Sequence, residues 1–192
     1  MERKVGFGEA FKLFWKNYLN FKSRARRSEY WYMVLWHIIF LIPGGILYLI
    51  GLIALIAGTA SHSEGAVMGS VLFLFISFIY FAIYGLVTLI PNWALFIRRF
   101  HDTGRSMVLP LSYLGVSIIT YIILLIIGFQ DLESTNIVNV IIIVLIYVFY
   151  IGFGIYFLVI ACLDSERKTN KYGPSHKYAN QYTKIDKTYK EQ

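Results

Sequence analysis

Residues 30–57 read YWYMVLWHIIFLIPGGILYLIGLIALIA, a run that contains no Asp, Glu, Lys or Arg. Roughly 20 mostly apolar residues in a helix are enough to cross the hydrocarbon core of a bilayer. Three further runs, at about residues 66–96, 108–130 and 137–163, have the same character. The strands of a membrane β-barrel would be shorter and would alternate polar with apolar residues. The sequence therefore predicts an all-α membrane protein whose four transmembrane helices form a membrane domain over residues 30–163.

The composition of the whole chain agrees with this class. Hydrophobic residues make up 57% of the 192 residues, and charged residues make up 15%. A soluble domain carries about 25% charged residues, which its water-facing surface requires. The single cysteine excludes an intrachain disulfide. These numbers exclude an ordinary soluble protein and a disulfide-stapled secreted domain.

The basic residues predict the orientation of the chain. Eight of the 18 lysines and arginines precede Tyr30, three lie between the second and third runs, and seven follow residue 163. The other two connections, around residues 61–64 and 131–135, contain none. Because basic residues accumulate on the cytoplasmic side of membrane proteins, we expect both termini and the central loop 97–107 to be cytoplasmic. The predicted localisation is the plasma (inner) membrane of a bacterium, as a multi-pass protein.

The segments outside the membrane domain differ from each other. Within the N-terminal segment 1–29, aromatic residues recur at three- and four-residue steps from Phe7 to Phe21, which predicts an amphipathic helix. We predict that this is an interfacial helix lying in the plane of the membrane surface, and the alternative is that it packs its aromatic face on the spans of the protein itself. The tail 164–192 is polar and is predicted to be cytoplasmic.

Two motifs contain most of the chemically active side chains. Residues 23–31 read SRARRSEYW and enter the first span, and residues 98–106 read RRFHDTGRS and leave the second. Glu29 and Asp102 lie at helical spacing from neighbouring arginines, so we expect them to be structural ion-pair partners. Two aromatic residues, Tyr30 and Trp31, are typical interfacial anchors.

A third motif lies in the tail, where residues 170–174 read NKYGP, including Asn170, Tyr172 and Gly173. With these three motifs in this order, the chain resembles the bacterial "domain of unknown function 805" family of small inner-membrane proteins. The resemblance covers roughly residues 7–176. It implies a four-span membrane topology and brings no reaction, substrate or cofactor with it.

The arginine-rich motifs support two interpretations. In the first, the arginines only anchor the spans and set the topology. In the second, the protein is a binding or scaffold module whose arginines recognise anionic lipid headgroups or a membrane partner, because guanidinium groups suit phosphate oxygens. The residues predicted to bind in this second interpretation are Arg24, Arg27, Arg98, Arg99, His101 and Arg105. We favour binding, with anionic membrane lipids as the expected partner and a membrane protein or a homo-oligomer left open.

Other functional classes find less support in the sequence. An enzyme acting on a phosphorylated lipid would need His101 as its acid–base, yet adjacent residues such as His101 and Asp102 do not face each other on a helix. No catalytic residue is predicted, and the scattered histidines have no metal-ligand spacing, so neither a metal nor a cofactor is expected. A transporter or channel formed by an oligomer remains an alternative, although His37 is the only ionisable histidine inside a span. The membrane accounts for the basic charge, so no nucleic-acid partner is expected.

Overall fold

The four predicted spans are present as long helices. In a computed structural model, which describes residues 5–128, 137–175 and 177–178, the chain forms α1 (Phe7–Lys16), α2 (Arg27–Ala60), α3 (Glu64–Asp102), α4 (Val108–Gly128) and α5 (Ile137–Cys162). The last four are long and apolar enough to cross a membrane. Within the described residues no strand is assigned. The prediction of an all-α membrane protein with four transmembrane helices and a short N-terminal helix is confirmed.

The helices extend beyond the uncharged runs. α2 has 34 residues and α3 has 39, which correspond to about 51 and 58 Å at 1.5 Å per residue. The hydrocarbon core is only about 30 Å thick, so the charged ends of these helices continue past it. α3 is helical as far as Asp102, and the predicted loop 97–107 therefore shrinks to residues 103–107. Charged residues after an apolar run were interpreted as a loop, whereas the helix simply continues.

The chain divides into two compact units, which are described separately. The hairpin unit comprises residues 5–20 and 28–95. The clasp unit comprises residues 21–27 together with the described residues from 96 onward.

Glycines set the helix packing in the hairpin unit. A Cβ atom placed on Gly44 would lie 2.5 Å from a ring carbon of Tyr80, and one placed on Gly58 would lie 2.9 Å from the backbone nitrogen of Val67. Gly51, midway between these glycines, faces Leu74, whose Cγ would lie 3.0 Å from a Cβ atom at this position. The seven-residue spacing puts all three on one face of α2 and lets α3 approach its backbone, as small residues do in membrane helices.

Two prolines lie in the interior of the long helices. α2 continues through Pro43 and α3 continues through Pro91. A proline lacks the N–H that would bond one turn back, so nearby carbonyls need another donor in a lipid environment. Near Pro43 the hydroxyl of Tyr80 donates to the carbonyl of Phe40 at 2.5 Å. The neighbouring helix thus supplies a hydrogen bond at the proline, and the helix does not break.

α1 packs its aromatic face on α2. The ring of Phe7 stacks on Trp36, with centroids 4.4 Å apart, and the ring of Phe11 lies 4.9 Å from that of Trp36. The indole nitrogen of Trp36 donates to the carbonyl of Phe7 at 3.0 Å. α1 ends at Lys16, so the later aromatics of the predicted face, Tyr18 and Phe21, lie beyond the helix. The second of the two alternatives, packing on the protein's own span, describes this face.

The membrane helices of the clasp unit are held by aromatic contacts. Phe157 of α5 contacts Phe96 and Tyr113, each with ring centroids 5.0 Å apart. Tyr113 of α4 also stacks on Phe153 at 5.6 Å. These rings connect the end of α3, the start of α4 and the last turns of α5, which is where the three sequence motifs meet.

Candidate functional site

Three segments that are far apart in sequence meet in the clasp unit. They are residues 23–25, the last turn of α3 from Arg98 to Asp102, and the tail from residue 163 to 175. The backbone N–H of Ala25 donates to the carbonyl of Arg98 at 3.0 Å, and that of Glu166 donates to the carbonyl of Asp102 at 2.8 Å. The tail motif therefore folds onto the end of α3.

Arg24 is the centre of this arrangement. An arginine has five N–H donors, and all five of Arg24 are used. Its Nε donates to Oδ1 of Asp102 at 3.1 Å, and its Nη2 donates to the carbonyl of Asp102 at 3.1 Å. The remaining donors bond to the carbonyls of Glu166 at 2.6 Å, Lys168 at 3.0 Å and Gly173 at 3.2 Å. The guanidinium is saturated and has no donor left for a phosphate.

Asp102 pairs with two arginines. Its Oδ1 accepts from Arg24, while its Oδ2 accepts from Nη1 of Arg99 at 2.5 Å and from the hydroxyl of Ser165 at 2.6 Å. Arg99 also donates to the carbonyls of Ala25 and Leu163. A carboxylate this deeply buried needs such partners, because an unpaired charge in a low-dielectric interior is very unfavourable. We call Arg24, Arg99, Asp102 and Ser165 the arginine clasp.

His101 is packed against the tail motif. Its ring stacks on Tyr172 with centroids 3.5 Å apart and planes 6° from parallel, and its Nδ1 lies 3.3 Å from the carbonyl oxygen of Ser23. The amide of Asn170 donates to the carbonyl of His101 at 3.0 Å. The Nε2 atom of His101 is buried and makes no hydrogen bond within the described part of the chain. In this position the ring of His101 is covered by Tyr172 and is 1% exposed.

The tail motif has the residues that its turn requires. Asn170 accepts from the N–H of Tyr172 at 2.9 Å and donates to a carboxylate oxygen of Glu166 at 2.9 Å. Gly173 has a φ of +111°, which side-chain-bearing residues rarely adopt, and its carbonyl is one of those held by Arg24. An Asx-type turn followed by glycine thus presents a carbonyl to the clasp.

A second glycine makes room for the tail at the end of α3. Gly104 has a φ of +76° and follows the helix end at Asp102, as a C-terminal capping glycine does. A Cβ atom at this position would lie 2.8 Å from the carboxylate of Glu166. Gly104 therefore both ends the helix and allows the tail to approach.

The predicted headgroup-binding residues fall into two groups. Arg24, Arg98, Arg99 and His101 are each only 1% exposed. Arg27 is exposed and Arg105 is half-buried. The structure therefore brings the first group together in the interior, where burial keeps these side chains from forming the expected outer surface. Their binding role stays a prediction.

The remaining predicted residues lie at the start of α2. Glu29 is 5% exposed, and the rings of Tyr30 and Trp31 are half-buried and contact each other with centroids 5.8 Å apart. Asp102, the other predicted ion-pair partner, pairs with Arg24 and Arg99 as described above.

Sequence reasoning missed several members of the site. Ser165 and Glu166 were not singled out, and neither were the carbonyls of Leu163 and Lys168 that accept from arginines. A backbone carbonyl is present at every residue, so its use has no sequence signal. The serine that follows Asp164 could have been noticed only by its position directly after the last span.

An exposed ion pair lies beside the clasp. Nζ of Lys177 is 2.6 Å from Oδ2 of Asp164, which also accepts from the hydroxyl of Tyr178 at 2.8 Å. Partial burial opposes ionisation of this carboxyl, but the hydrogen bonds from Lys177, Tyr178 and the N–H of Ser165 outweigh it and lower the pKa of Asp164 to about 2. The same contacts, led by the hydrogen bond to Asp164, raise the pKa of Lys177.

The described residues contain no group of three His, Cys, Asp or Glu side chains that could hold a metal ion. His37, the histidine inside the first span, instead places Nδ1 2.5 Å from the hydroxyl of Tyr84 and its ring 5.5 Å from that of Phe14. This is the environment of a packed, hydrogen-bonded histidine.

Comparison with known proteins supports the membrane assignment. The profile of a family described as "Protein of unknown function (DUF805)" matches residues 18–174. The chain is 34% identical over 115 residues to inner membrane protein YhaH of Escherichia coli K12, covering 60% of this chain and 79% of the relative. It is 37% identical over 111 residues to inner membrane protein YhaI of the same strain, covering 58% and 75%. No solved structure matches.

Proposed function

Because this chain belongs to the DUF805 family and is an integral inner-membrane protein, we propose that it is a binding module for anionic lipid headgroups. The proposal gives the two parts of the predicted site different tasks. The arginine clasp holds the tail against the end of α3. The exposed cations around it bind the headgroups.

The charge imbalance of the clasp unit carries this proposal. Its described residues include eleven lysines and arginines but three acidic residues, Asp102, Asp164 and Glu166, an excess of eight. The negative charge of Asp102 is already paired with Arg24 and Arg99 in the clasp. The clasp pairs its two arginines with this one carboxylate, and the unit keeps a strong excess of positive charge, which favours an anionic partner.

Four of the surface cations lie beside the ends of spans, and we call them the cationic rim: Arg27, Arg105, Lys168 and Lys171. Arg27 is the first residue of α2, and Arg105 precedes the start of α4 by three residues. The lysines follow the end of α5 by six and nine residues. Basic residues next to a membrane attract anionic lipids by roughly 1 kcal/mol each.

The burial of His101 favours binding over catalysis. The proposed enzyme reaction needs an accessible acid–base, and the histidine ring is covered by Tyr172. For transport, the only ionisable histidine within a span is His37, and it bonds with Tyr84. We therefore propose headgroup binding as the function. If lipids do not bind selectively, a membrane protein is the partner to search for.

The proposal includes an orientation. With 18 basic residues on one side of the spans and none on the other, the termini and the rim face the cytoplasm, where anionic lipids are available. Reporter fusions at the C-terminus and within the connection after α2 test this. A C-terminal reporter that is active only outside the cytoplasm would contradict it.

Native mass spectrometry of the purified full-length protein tests the headgroup preference. Dioleoyl phosphatidylglycerol and dioleoyl phosphatidylethanolamine have the same chains and differ in headgroup charge. We expect the wild type to retain the anionic lipid preferentially. Lys168→Gln combined with Lys171→Gln should weaken its binding roughly thirtyfold, because two cations contribute about 2 kcal/mol.

The control removes two charges elsewhere in the same tail. Lys184→Gln combined with Lys187→Gln changes residues outside the described part of the chain, and it should leave the preference intact. If both double variants lose the same amount of anionic lipid, retention depends on net charge alone. That result would overturn the assignment of headgroup binding to the cationic rim. Equal retention of both lipids by the wild type would overturn headgroup binding and direct the search to protein partners.

A further inference from the structure

An apolar groove lies between α4 and α5. It has a volume of about 380 Å³ and is lined by Leu109, Gly152, Phe153 and Tyr156. No atom lies within 4 Å of the position that a Cβ on Gly152 would occupy. The groove is therefore the space left by a missing side chain beside two aromatic rings.

The groove lies in one half of the membrane. α4 has 21 residues, or about 32 Å, which matches the thickness of the hydrocarbon core. Leu109 is in its first turn, at the edge of that core. Tyr156 and Gly152 precede the end of α5 at Cys162 by six and ten residues, or about 9 and 15 Å. The lining thus falls within about one leaflet's thickness of the clasp-side helix ends, so we infer an acyl chain of that leaflet as the occupant.

A cation precedes the first lining residue of the groove in the chain. Arg105 precedes Leu109 by four residues, which limits the path between them to about 14 Å. Arg105 is half-buried, and its Nη1 lies 3.4 Å from the carbonyl of Thr103. Its remaining donors suit the phosphate oxygens of a headgroup. A phospholipid has this same order, with an anionic phosphate just outside the core and an acyl chain within it.

We propose that the groove between α4 and α5 holds one acyl chain of an anionic phospholipid whose phosphate is bound by Arg105. This inference rests on the headgroup-binding function and adds a defined seat for one lipid. A lipid held at both ends dissociates more slowly than the surrounding annular lipids, because both contacts must break together.

Two leucine substitutions in α5 form a matched test. Gly152→Leu fills the groove. Gly154→Leu adds the same side chain two residues away, at a glycine that does not line the groove. At Gly154, as at Gly152, nothing within 4 Å opposes an added Cβ. The probe is dioleoyl phosphatidylglycerol, with dihexanoyl phosphatidylglycerol for chain length, and retention is measured by native mass spectrometry of the full chain. We expect Gly152→Leu to weaken dioleoyl lipid binding roughly tenfold, which corresponds to about 1.4 kcal/mol. Gly154→Leu and the short-chain lipid should show no such loss.

The outcomes separate this inference from headgroup binding. The wild type could retain both dioleoyl lipids equally, and Gly152→Leu could retain both less. This result would support acyl-chain binding in the groove and would contradict headgroup binding. Unchanged retention in Gly152→Leu, or equal losses in both leucine variants, would overturn the groove whatever the headgroup preference. Arg105→Gln should weaken the headgroup preference, while Lys168 and Lys171 still contribute, and should keep the chain-length dependence. If Gly152→Leu fails to fold, Gly152→Val provides the same comparison with a smaller side chain.

Discussion

The buried hydroxyls of α3 in the hairpin unit and the arginine clasp of the clasp unit satisfy their hydrogen bonds in opposite ways. In α3 of the hairpin unit, the hydroxyls of Ser70, Ser77 and Thr88 bond to carbonyls three or four residues earlier in the same helix. In the clasp unit, Arg24 bonds to residues 78 to 149 positions away. Local bonds form wherever the helix forms. Long-range bonds exist only when every partner segment is in place.

This difference predicts how each unit responds to mutation. A hydroxyl that bonds within its own helix depends on nothing outside that helix. Removing one member of a buried ionic network leaves the others uncompensated, which costs far more than the bond itself. Single substitutions in the clasp should therefore have larger effects than comparable substitutions between α2 and α3.

The largest effect is expected for Arg24→Ala. It removes five hydrogen bonds and leaves half of the charge compensation of Asp102 missing, so we expect the free energy of unfolding to fall by about 3–5 kcal/mol. Denaturant unfolding of the full chain in detergent measures it. Arg24→Lys should restore little, because an ammonium group has three donors and lacks the planar fork.

Arg27→Ala is the matched control for this comparison. Arg27 is exposed and makes one long hydrogen bond, to the carbonyl of Cys162 at 3.3 Å. Its loss should change stability by less than about 1 kcal/mol. Similar losses for Arg24→Ala and Arg27→Ala would contradict the central position of Arg24.

A smaller effect is expected between the helices of the hairpin unit. Gly44→Ala would bring its Cβ to 2.5 Å from Tyr80 and 2.9 Å from Phe81. This overpacking should lower stability by about 1–3 kcal/mol. Gly45→Ala adds the same methyl group where nothing lies within 4 Å, and it should be neutral or slightly stabilising, since alanine favours a helix over glycine. Equal effects at both positions in a thermal melt would mean that α2 and α3 do not pack through Gly44.

The smallest effect concerns the exposed ion pair of Asp164 with Lys177. The pKa of Asp164 falls from 3.8 to about 2 on folding, so its stabilising contribution is complete above pH 3.8 and is lost as the pH falls towards 2. Because the pair is exposed, the contribution should stay below about 1 kcal/mol and decrease in high salt. An NMR titration of the Asp164 carboxyl checks the pKa, and Lys177→Gln should return it towards 3.8. A midpoint near 4 in the wild type would show that the pair does not form.

The spans could be predicted from the sequence because they depend on local composition. The run from residue 30 to 57 has no charge, and any environment other than lipid would be unfavourable for it. The central loop was placed at residues 97–107, whereas α3 continues to Asp102, because a helix tolerates charges once it has left the hydrocarbon. The helical spacing of Asp102 from Arg98 and Arg99 agrees with this end, and Gly104 follows it with a positive φ.

The candidate site was only half predictable. The motifs containing Arg24, Asp102 and Asn170 were recognised as unusual, and these residues do meet. Their arrangement could not be predicted, because the acceptors of Arg24 are mostly backbone carbonyls, and every residue type has one. An arginine beside a span looks like a surface cation in a sequence, and only the folded tail buries it.

The saturation of Arg24 also sets an order of assembly. Ribosomes make the chain from its N-terminus, so Arg24 emerges long before Glu166, Lys168 and Gly173, whose carbonyls complete its hydrogen bonds. Until α5 has been inserted and the tail has been released, the guanidinium stays in water with its donors unmatched. The clasp can close only on a finished chain. A chain whose tail has not folded back thus keeps Arg24 without the carbonyls of Glu166, Lys168 and Gly173.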